Sequence, residues 1–560
     1  MLLAWLKLTL ALYACTVLAG PVHFHGLKRT GSLDSFNHFF LLNGLPANDS
    51  AVLTANFTQI TDHFPNANIS TNPLVATSAT FNQTYFVYDF NYRSGGPVIF
   101  VIQGESPADN IWLRYGFTKI ASERYGALVV SLEHRFYGDS IPTPDFTRQS
   151  LSLLTTRQAI ADIVHFKQSF PSLYPQYNLT NSTKWIAIGG SYSGFLSAAL
   201  RQKHPDEFYA SHASSAPVNM TLDFWRFSYA VDQGIPRLPG GSIACINQWE
   251  ETVRAFDDHL DALANDTAAL TSFKAKFWMD GIDNLGDVAS FVTTLLGSTV
   301  MYGPSGAIWN TTDSTSIPFL TAICDNTTYP ALTSPEPSVR LDALADLVVT
   351  NLRYHQGFTG PHDPALLRNY SSTALGADTG ARNDLLPWTH QFCTEFGYFQ
   401  TTLPITQWRA PLGSTPFSRY VTVEYYRWAC AAALQWPSVE PASEVTNAYY
   451  GGLNMDAGRI LWVNGGLDPW RWLGVYEDGM RANKTGQVVV FVDEGTHCAD
   501  LGAQAGDPVV AQLVEVWDGW LNGSSAGVVT PATNGGSNSD AVRGRSVVWG
   551  IMLCLTYFVL

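Results

Sequence analysis

The stretch from Lys184 to Leu200, K-W-I-A-I-G-G-S-Y-S-G-F-L-S-A-A-L, restricts what this chain can fold into more than any other. An apolar run from Trp185 to Ile188 stops at two glycines, a serine follows, and small and apolar residues at helical spacing come after it. The pattern predicts a strand, a sharp turn and a helix. A serine on such a turn is held in a strained backbone conformation that lifts its hydroxyl out of the sheet, with glycines around it where a Cβ would collide. Ser191 is therefore the candidate nucleophile. The G-x-S-x-G spacing is met at Gly189 and Ser191 but ends on Ser193, serine being the next smallest residue.

The flanking chain supplies the sheet that this turn needs. Ala79 to Tyr92 is aromatic and β-rich, and R-S-G-G leads it into P-V-I-F-V-I-Q-G, which predicts a hairpin feeding a buried strand at Val98 to Ile102. A helical stretch near Ile111 to Arg124, a strand in A-L-V-V-S-L before E-H-R-F-Y-G-D-S, a second helical stretch from Leu151 and a strand within Phe208 to Val218 complete the alternation. Strands alternating with helices predict a largely parallel α/β sheet. From 219 to 441 the chain is irregular and helical, an inserted cap. The rhythm returns in G-R-I-L-W-V-N-G-G-L-D-P-W and Q-V-V-V-F-V-D-E-G-T-H-C-A-D-L, followed by an amphipathic helix near Pro508 to Leu521. Residues 21–218 and 442–523 thus form one α/β unit around the cap.

A serine nucleophile needs a base to take its proton and an acid to hold that base in the right tautomer. In open α/β sheets such groups gather at the carboxyl ends of strands. Asp468 follows one predicted strand after a glycine turn, and His497 follows the next in the same way. The order Ser191, Asp468, His497 is the one expected of an α/β-hydrolase. Asp493 and Asp500 lie too near His497 in sequence to orient it, and His134, within E-H-R, reads as part of a structural ion pair. The oxyanion donors should be the backbone N–H of Tyr192 and one from the loop at Gly104 and Glu105. The Glu105 carboxyl reads equally as structural or as a substrate-amine site.

The two ends carry addresses. Residues 1–20 combine one lysine, a short apolar run and small residues at Ala19 and Gly20, the pattern of a secretory signal. Residues 524–560 run from a Ser/Gly/Asn-rich spacer into an uncharged apolar tail, the pattern of a glycosylphosphatidylinositol anchor signal. Thirteen N-x-[ST] triplets, at Asn48, Asn56, Asn68, Asn82, Asn178, Asn181, Asn219, Asn265, Asn310, Asn326, Asn369, Asn483 and Asn522, fit a glycosylated, extracytosolic chain. The net charge of −15 argues against nucleic acid and against anionic membrane other than through the lipid anchor. Of seven cysteines, Cys15 and Cys554 fall in the end segments. Connectivity of the rest stays open in the sequence; joining neighbours gives Cys245–Cys324 and Cys393–Cys430 and leaves Cys498. No C-x-x-C spacing suggests a metal site, and no cofactor is expected. Homodimerisation is left open.

Six motifs taken together, G-G-S-Y-S-G-F, L-E-H-R-F-Y-G-D-S, G-G-L-D-P-W, E-G-T-H-C-A-D-L, Q-I-T-D-H-F and Q-F-C-T-E-F-G-Y-F-Q, resemble the lysosomal Pro-X carboxypeptidase family of serine peptidases. The resemblance spans nearly the whole chain between the two end segments. It departs from the family at Ser193, where glycine is commoner, and at T-H-C-A-D-L, where a second histidine is. It implies an α/β-hydrolase with a helical cap, a Ser191–Asp468–His497 triad, and cleavage of peptides after proline at acid pH. It also implies a proline-binding aromatic wall at Trp470 and Phe195. Carboxypeptidase, dipeptidyl peptidase and endopeptidase action all remain open, as do an esterase or a non-catalytic protein on the same scaffold.

Overall fold

The computed structural model describes residues 51–65, 79–303, 307–309, 316–325, 327–355, 357–377, 385–404, 415–477 and 486–522. The segments expected to be a secretory signal and an anchor signal, and the triplets at Asn48, Asn68, Asn310, Asn326 and Asn483, lie outside them. Of the other triplets, Asn56, Asn82, Asn178, Asn181, Asn265 and Asn522 are exposed, and Asn219 and Asn369 are half-buried.

Among the described residues twelve strands are formed: β1 (Leu53–Ile60), β2 (Thr80–Tyr88), β3 (Val98–Ile102), β4 (Leu128–Leu132), β5 (Trp185–Gly190), β6 (Ala210–Ser214), β7 (Thr221–Asp223), β8 (Ala307–Trp309), β9 (Ser316–Pro318), β10 (Gly397–Phe399), β11 (Ile460–Gly465) and β12 (Gln487–Val492). Eight of them make one sheet in the order β1-β2-β4-β3-β5-β6-β11-β12. The β1–β2 and β2–β4 pairs are antiparallel and every later pair is parallel.

The unbroken apolar runs of the central strands follow from burial on both faces. Along β3, Val98, Phe100 and Ile102 enter one core while Ile99 and Val101 enter the other. Trp185 and Ala187 in β5 likewise oppose Ile186 and Ile188. The second core is closed by the carboxyl-terminal helix Pro508–Asn522, whose Leu513, Val516, Trp517 and Trp520 are buried against it at helical spacing.

One expected pairing is wrong. β2 does not form a hairpin with β3; it lies between β1 and β4, and β4 separates it from β3. β4, with all five residues buried, takes the place beside β3, and β2, whose Thr80 and Asn82 are exposed, pairs on its other side, sending Tyr85 and Val87 into the first core and Phe86 into the second.

Between β6 and β11 the chain is mainly helical, with long helices at Ile243–Leu263, Leu285–Tyr302 and Pro337–Thr350 and the shorter Leu385–Gln391 and Val423–Leu434. Disulfides Cys245–Cys324 and Cys393–Cys430 lie in this region, and Cys498 is a buried free thiol. A mostly parallel sheet covered on both faces, a nucleophile turn leaving a central strand and a helical insertion together make this an α/β-hydrolase fold.

Candidate active site

Ser191 has φ 57° and ψ −128°, a conformation that L side chains adopt only where the surroundings impose it. It stands between β5 and the helix Tyr192–Lys203, and its N–H donates to the Ser214 carbonyl of β6 at 3.0 Å. The neighbours must be glycine. A Cβ on Gly190 would stand 2.7 Å from Cys498 Sγ, one on Gly194 2.6 Å from the Ser214 carbonyl, and one on Gly189 would overlap the Ser193 carbonyl. Ser193 itself sits in the first helical turn without a positive φ, so the pattern's last glycine can be replaced. Its hydroxyl occupies space that Gly104 leaves open, since a Cβ on Gly104 would come within 2.7 Å of it. That contact seats the Gly104–Glu105 loop, which leaves β3, against the nucleophile turn.

Asp468 and His497 come together because the turns after β11 and β12 cross at glycines. Gly466 N–H donates to the Val492 carbonyl at 2.8 Å and Leu467 N–H to the Gly495 carbonyl at 2.9 Å. A Cβ at Gly465 or Gly466 would overlap the Gly495 or Asp493 carbonyl. His497 Nδ1 lies 2.9 Å from Asp468 Oδ1, which also accepts from Trp470 N–H at 2.9 Å, and both side chains are fully buried. With Nδ1 protonated toward the carboxylate, Nε2 offers a lone pair, and it has no other partner among the described residues.

The histidine loop is fastened from three sides. His497 N–H donates to the Met301 carbonyl on the helix Leu285–Tyr302 at 2.8 Å, and Cys498 N–H donates to Ser215 Oγ at 2.9 Å. Asp500, set aside as a partner for His497, is held instead by β6: it accepts from the Ser214 hydroxyl and lies 2.8 Å from His212 Nε2. No sequence signal linked these residues, since polar side chains in the middle of a buried strand break the apolar pattern.

The E-H-R segment contains no internal ion pair. Arg135 is fully buried and pairs with Asp162 at 2.6 Å, while Glu133 accepts from Ala108 N–H, Asp139 N–H and the Ser140 hydroxyl. His134 instead contacts the Arg135 carbonyl and the Tyr192 hydroxyl.

Glu105 is half-buried, with Oε1 enclosed and without a hydrogen-bond partner among the described residues. Desolvation pushes its carboxyl up to about 7, against the opposing influence of its own backbone N–H and of His497. Trp470 lies 6.4 Å from the His497 ring, in a cluster with Phe224, Phe227 and Tyr398 at 5.3 to 5.7 Å. These last three were not anticipated; Tyr398 alone fell within a motif, Q-F-C-T-E-F-G-Y-F-Q. Phe195 is 0% exposed and packs against Tyr192, Phe396 and Tyr450, while Trp470 is 2% exposed. Among the described residues no group of His, Cys, Asp and Glu is arranged to hold a metal ion.

A hydroxyl on a strained turn and a carboxylate-oriented imidazole on a loop packed against that turn are parts that an acyl-transfer site needs. Comparison with known proteins agrees. Residues 61–514 match the family model described as serine carboxypeptidase S28. The human thymus-specific serine protease is 29% identical over 77% of this chain and 80% of its own. A protein of Arthroderma benhamiae named "Probable extracellular serine carboxypeptidase" is 27% identical over 81% and 64% respectively, and serine protease vicPb of Bipolaris victoriae is 28% identical over 80% and 83%. A solved proline iminopeptidase from Mycobacterium smegmatis aligns at TM-score 0.35 and 11% identity over 84% of this chain and 100% of its own. The chain belongs to the serine carboxypeptidase S28 family and is a serine-type peptidase.

Proposed function

We propose that this protein cleaves peptides after proline at acid pH, as a carboxypeptidase or endoprotease, through an acyl-enzyme on Ser191. The observation that carries the catalytic assignment is the Asp468–His497 pair, 2.9 Å apart and fully buried, with Nε2 left to accept a proton beside the strained Ser191 turn. His497 takes the Ser191 proton as Oγ attacks the scissile carbonyl, and returns it to the departing nitrogen. Asp468 stabilises the transient imidazolium. Water then repeats the cycle on the ester and restores the serine. The N–H groups of Tyr192 and of the Gly104–Glu105 loop receive the oxyanion.

Selectivity for proline is supported by the flat indole of Trp470 beside His497, backed by Phe224, Phe227 and Tyr398. A rigid, apolar pyrrolidine ring suits such a face. Acid operation is supported by buried carboxyls with raised pKa values: Glu105 at about 7, Asp287 and Glu395 at about 6. Secretion, glycosylation and a lipid anchor remain part of the reading, on the end segments and the exposed acceptor asparagines.

The test is mass spectrometry of a mixed peptide pool incubated at about pH 4.5 with the purified protein and with Ser191→Ala. Cuts after proline that vanish in the variant are expected, and their position in each peptide separates exo- from endopeptidase action. Cuts without regard to proline, or no cuts by folded wild type, would overturn the selectivity or the whole assignment.

A further inference from the structure

Behind the nucleophile turn lies a row of buried side chains that the triad does not use. Tyr192 carries, on its backbone, the N–H assigned above to the oxyanion. Its side chain is 1% exposed, with the hydroxyl 3.0 Å from His134 Nε2 and 2.9 Å from Gln391 Nε2 and with Thr156, whose own hydroxyl donates to Glu395, also beside it. Gln391 Oε1 in turn accepts from the Tyr137 hydroxyl at 2.6 Å, and His134 Nδ1 lies 2.7 Å from the Arg135 carbonyl. His134 is 5% exposed, Gln391 and Tyr137 not at all.

The donors and acceptors can be assigned in only one order. A carbonyl oxygen can only accept, so His134 Nδ1 carries the proton and a neutral ring must accept at Nε2. Burial favours that neutral ring, pushing the imidazole down to about 4. The Tyr192 hydroxyl therefore donates to His134, which leaves its lone pairs to accept from the Gln391 amide. The amide's oxygen is then the acceptor for Tyr137. Each link satisfies the next, so moving Tyr192 or Gln391 removes hydrogen bonds from the buried groups on either side of it.

The members come from separate parts of the chain. His134 and Tyr137 follow β4, Tyr192 opens the helix after Ser191, and Gln391 ends the helix Leu385–Gln391 in the insertion. We propose that the chain Tyr137–Gln391–Tyr192–His134 is a positioning device for the oxyanion site, through which the insertion fixes the direction of the Tyr192 N–H. It rests on the acyl-transfer reading above. At the first residue of a helix the backbone N–H has no intrahelical acceptor, so its aim depends on what holds the residue. Here the side chain is clamped on two sides while the backbone turns at Ser191.

The experiment compares wild type with Tyr192→Phe, Gln391→Leu and Gln391→Glu on a prolyl peptide at acid pH, together with inhibition by a peptide aldehyde, whose tetrahedral adduct places an oxyanion in the same site. Tyr192→Phe removes one oxygen and keeps the ring packing, so it is the variant least exposed to misfolding. Losing a whole oxyanion donor lowers kcat by about 10²- to 10³-fold, and a donor that has lost its aim should cost about tenfold. The expected result is a kcat about tenfold lower in Tyr192→Phe and in Gln391→Leu, KM within about twofold, and an aldehyde Ki raised by the same factor as kcat falls. Because the two variants break one chain, the double variant should lose no more than the worse single one. Gln391→Glu should restore the rate, since a buried carboxylic acid, protonated at acid pH, offers one donor and one acceptor as the amide does. Unchanged kcat in Tyr192→Phe, an aldehyde Ki that does not follow kcat, or multiplicative losses in the double variant would overturn this proposal alone. An inactive wild type would overturn it together with the acyl-transfer reading.

Discussion

Replacing Asp287 by asparagine should remove a specific part of the protein's dependence on pH. Asp287 is 2% exposed on the helix Leu285–Tyr302. Its Oδ1 accepts from the hydroxyls of Ser372 at 2.8 Å and Tyr425 at 2.9 Å, and its Oδ2 accepts from Ser372 N–H at 3.1 Å. Those donors favour the charge, but burial outweighs them and pushes the carboxyl from 3.8 up to about 6. Below 3.8 both the folded and the unfolded chain hold the proton and nothing is lost. As pH rises the unfolded chain ionises first, so the folded state loses ground until about pH 6, where it ionises too. At about 1.4 kcal/mol for each pKa unit, a shift of roughly two units amounts to about 3 kcal/mol. Asparagine keeps the shape and an acceptor oxygen and cannot titrate. Urea unfolding of wild type and Asp287→Asn, followed from about pH 4 to about pH 7, should show the wild type's advantage shrinking by about 2.5 kcal/mol over that range, the remainder being lost below pH 4. A difference that stays flat within about 0.5 kcal/mol, or that grows toward neutral pH, would refute the reasoning.

Three further outcomes follow from contacts already described. Asp468→Asn leaves an oxygen for His497 and Trp470 but removes the charge that stabilises the imidazolium, so kcat should fall by about 10² to 10⁴ while the thermal midpoint barely moves; steady-state kinetics beside calorimetry checks this. Gly104→Ala should abolish activity through its collision with the Ser193 hydroxyl, and adding Ser193→Gly should restore most of it; equal loss in the single and double variants would count against the contact. Arg135→Met leaves the buried Asp162 carboxylate with His63 as its remaining side-chain partner and should lower unfolding free energy by about 3 kcal/mol. Pairing it with Asp162→Leu should recover part of that loss in the same urea experiment.

What the sequence made legible, and what it did not, follows from the range over which each residue's partner lies. Ser191 could be found because the strand, the glycines and the helix that force its turn are its own neighbours in the chain, and the collisions at Gly189 and Gly190 bear that local logic out. Asp468 and His497 could be placed because each follows an apolar run and a glycine turn. The seating of β2 beside β4 could not, because β3 and β4 are both apolar runs and the partner that β2 takes, β4, lies beyond β3 in the chain. Arg135 had charged and titratable neighbours on its own segment and still pairs with Asp162, 27 positions away. Local proximity of Glu133, His134 and Arg135 therefore suggested an ion pair that the fold does not use. Gln391 is the extreme case. One amide opening the motif Q-F-C-T-E-F-G-Y-F-Q has no periodicity to mark it and the motif does not show what it bonds, yet its two ends match an acceptor on Tyr192 and a donor on Tyr137, 254 positions away. Such a residue can be recognised only once the donor and acceptor order of the whole buried row is written out, because its role lies in satisfying groups that other parts of the chain have already oriented.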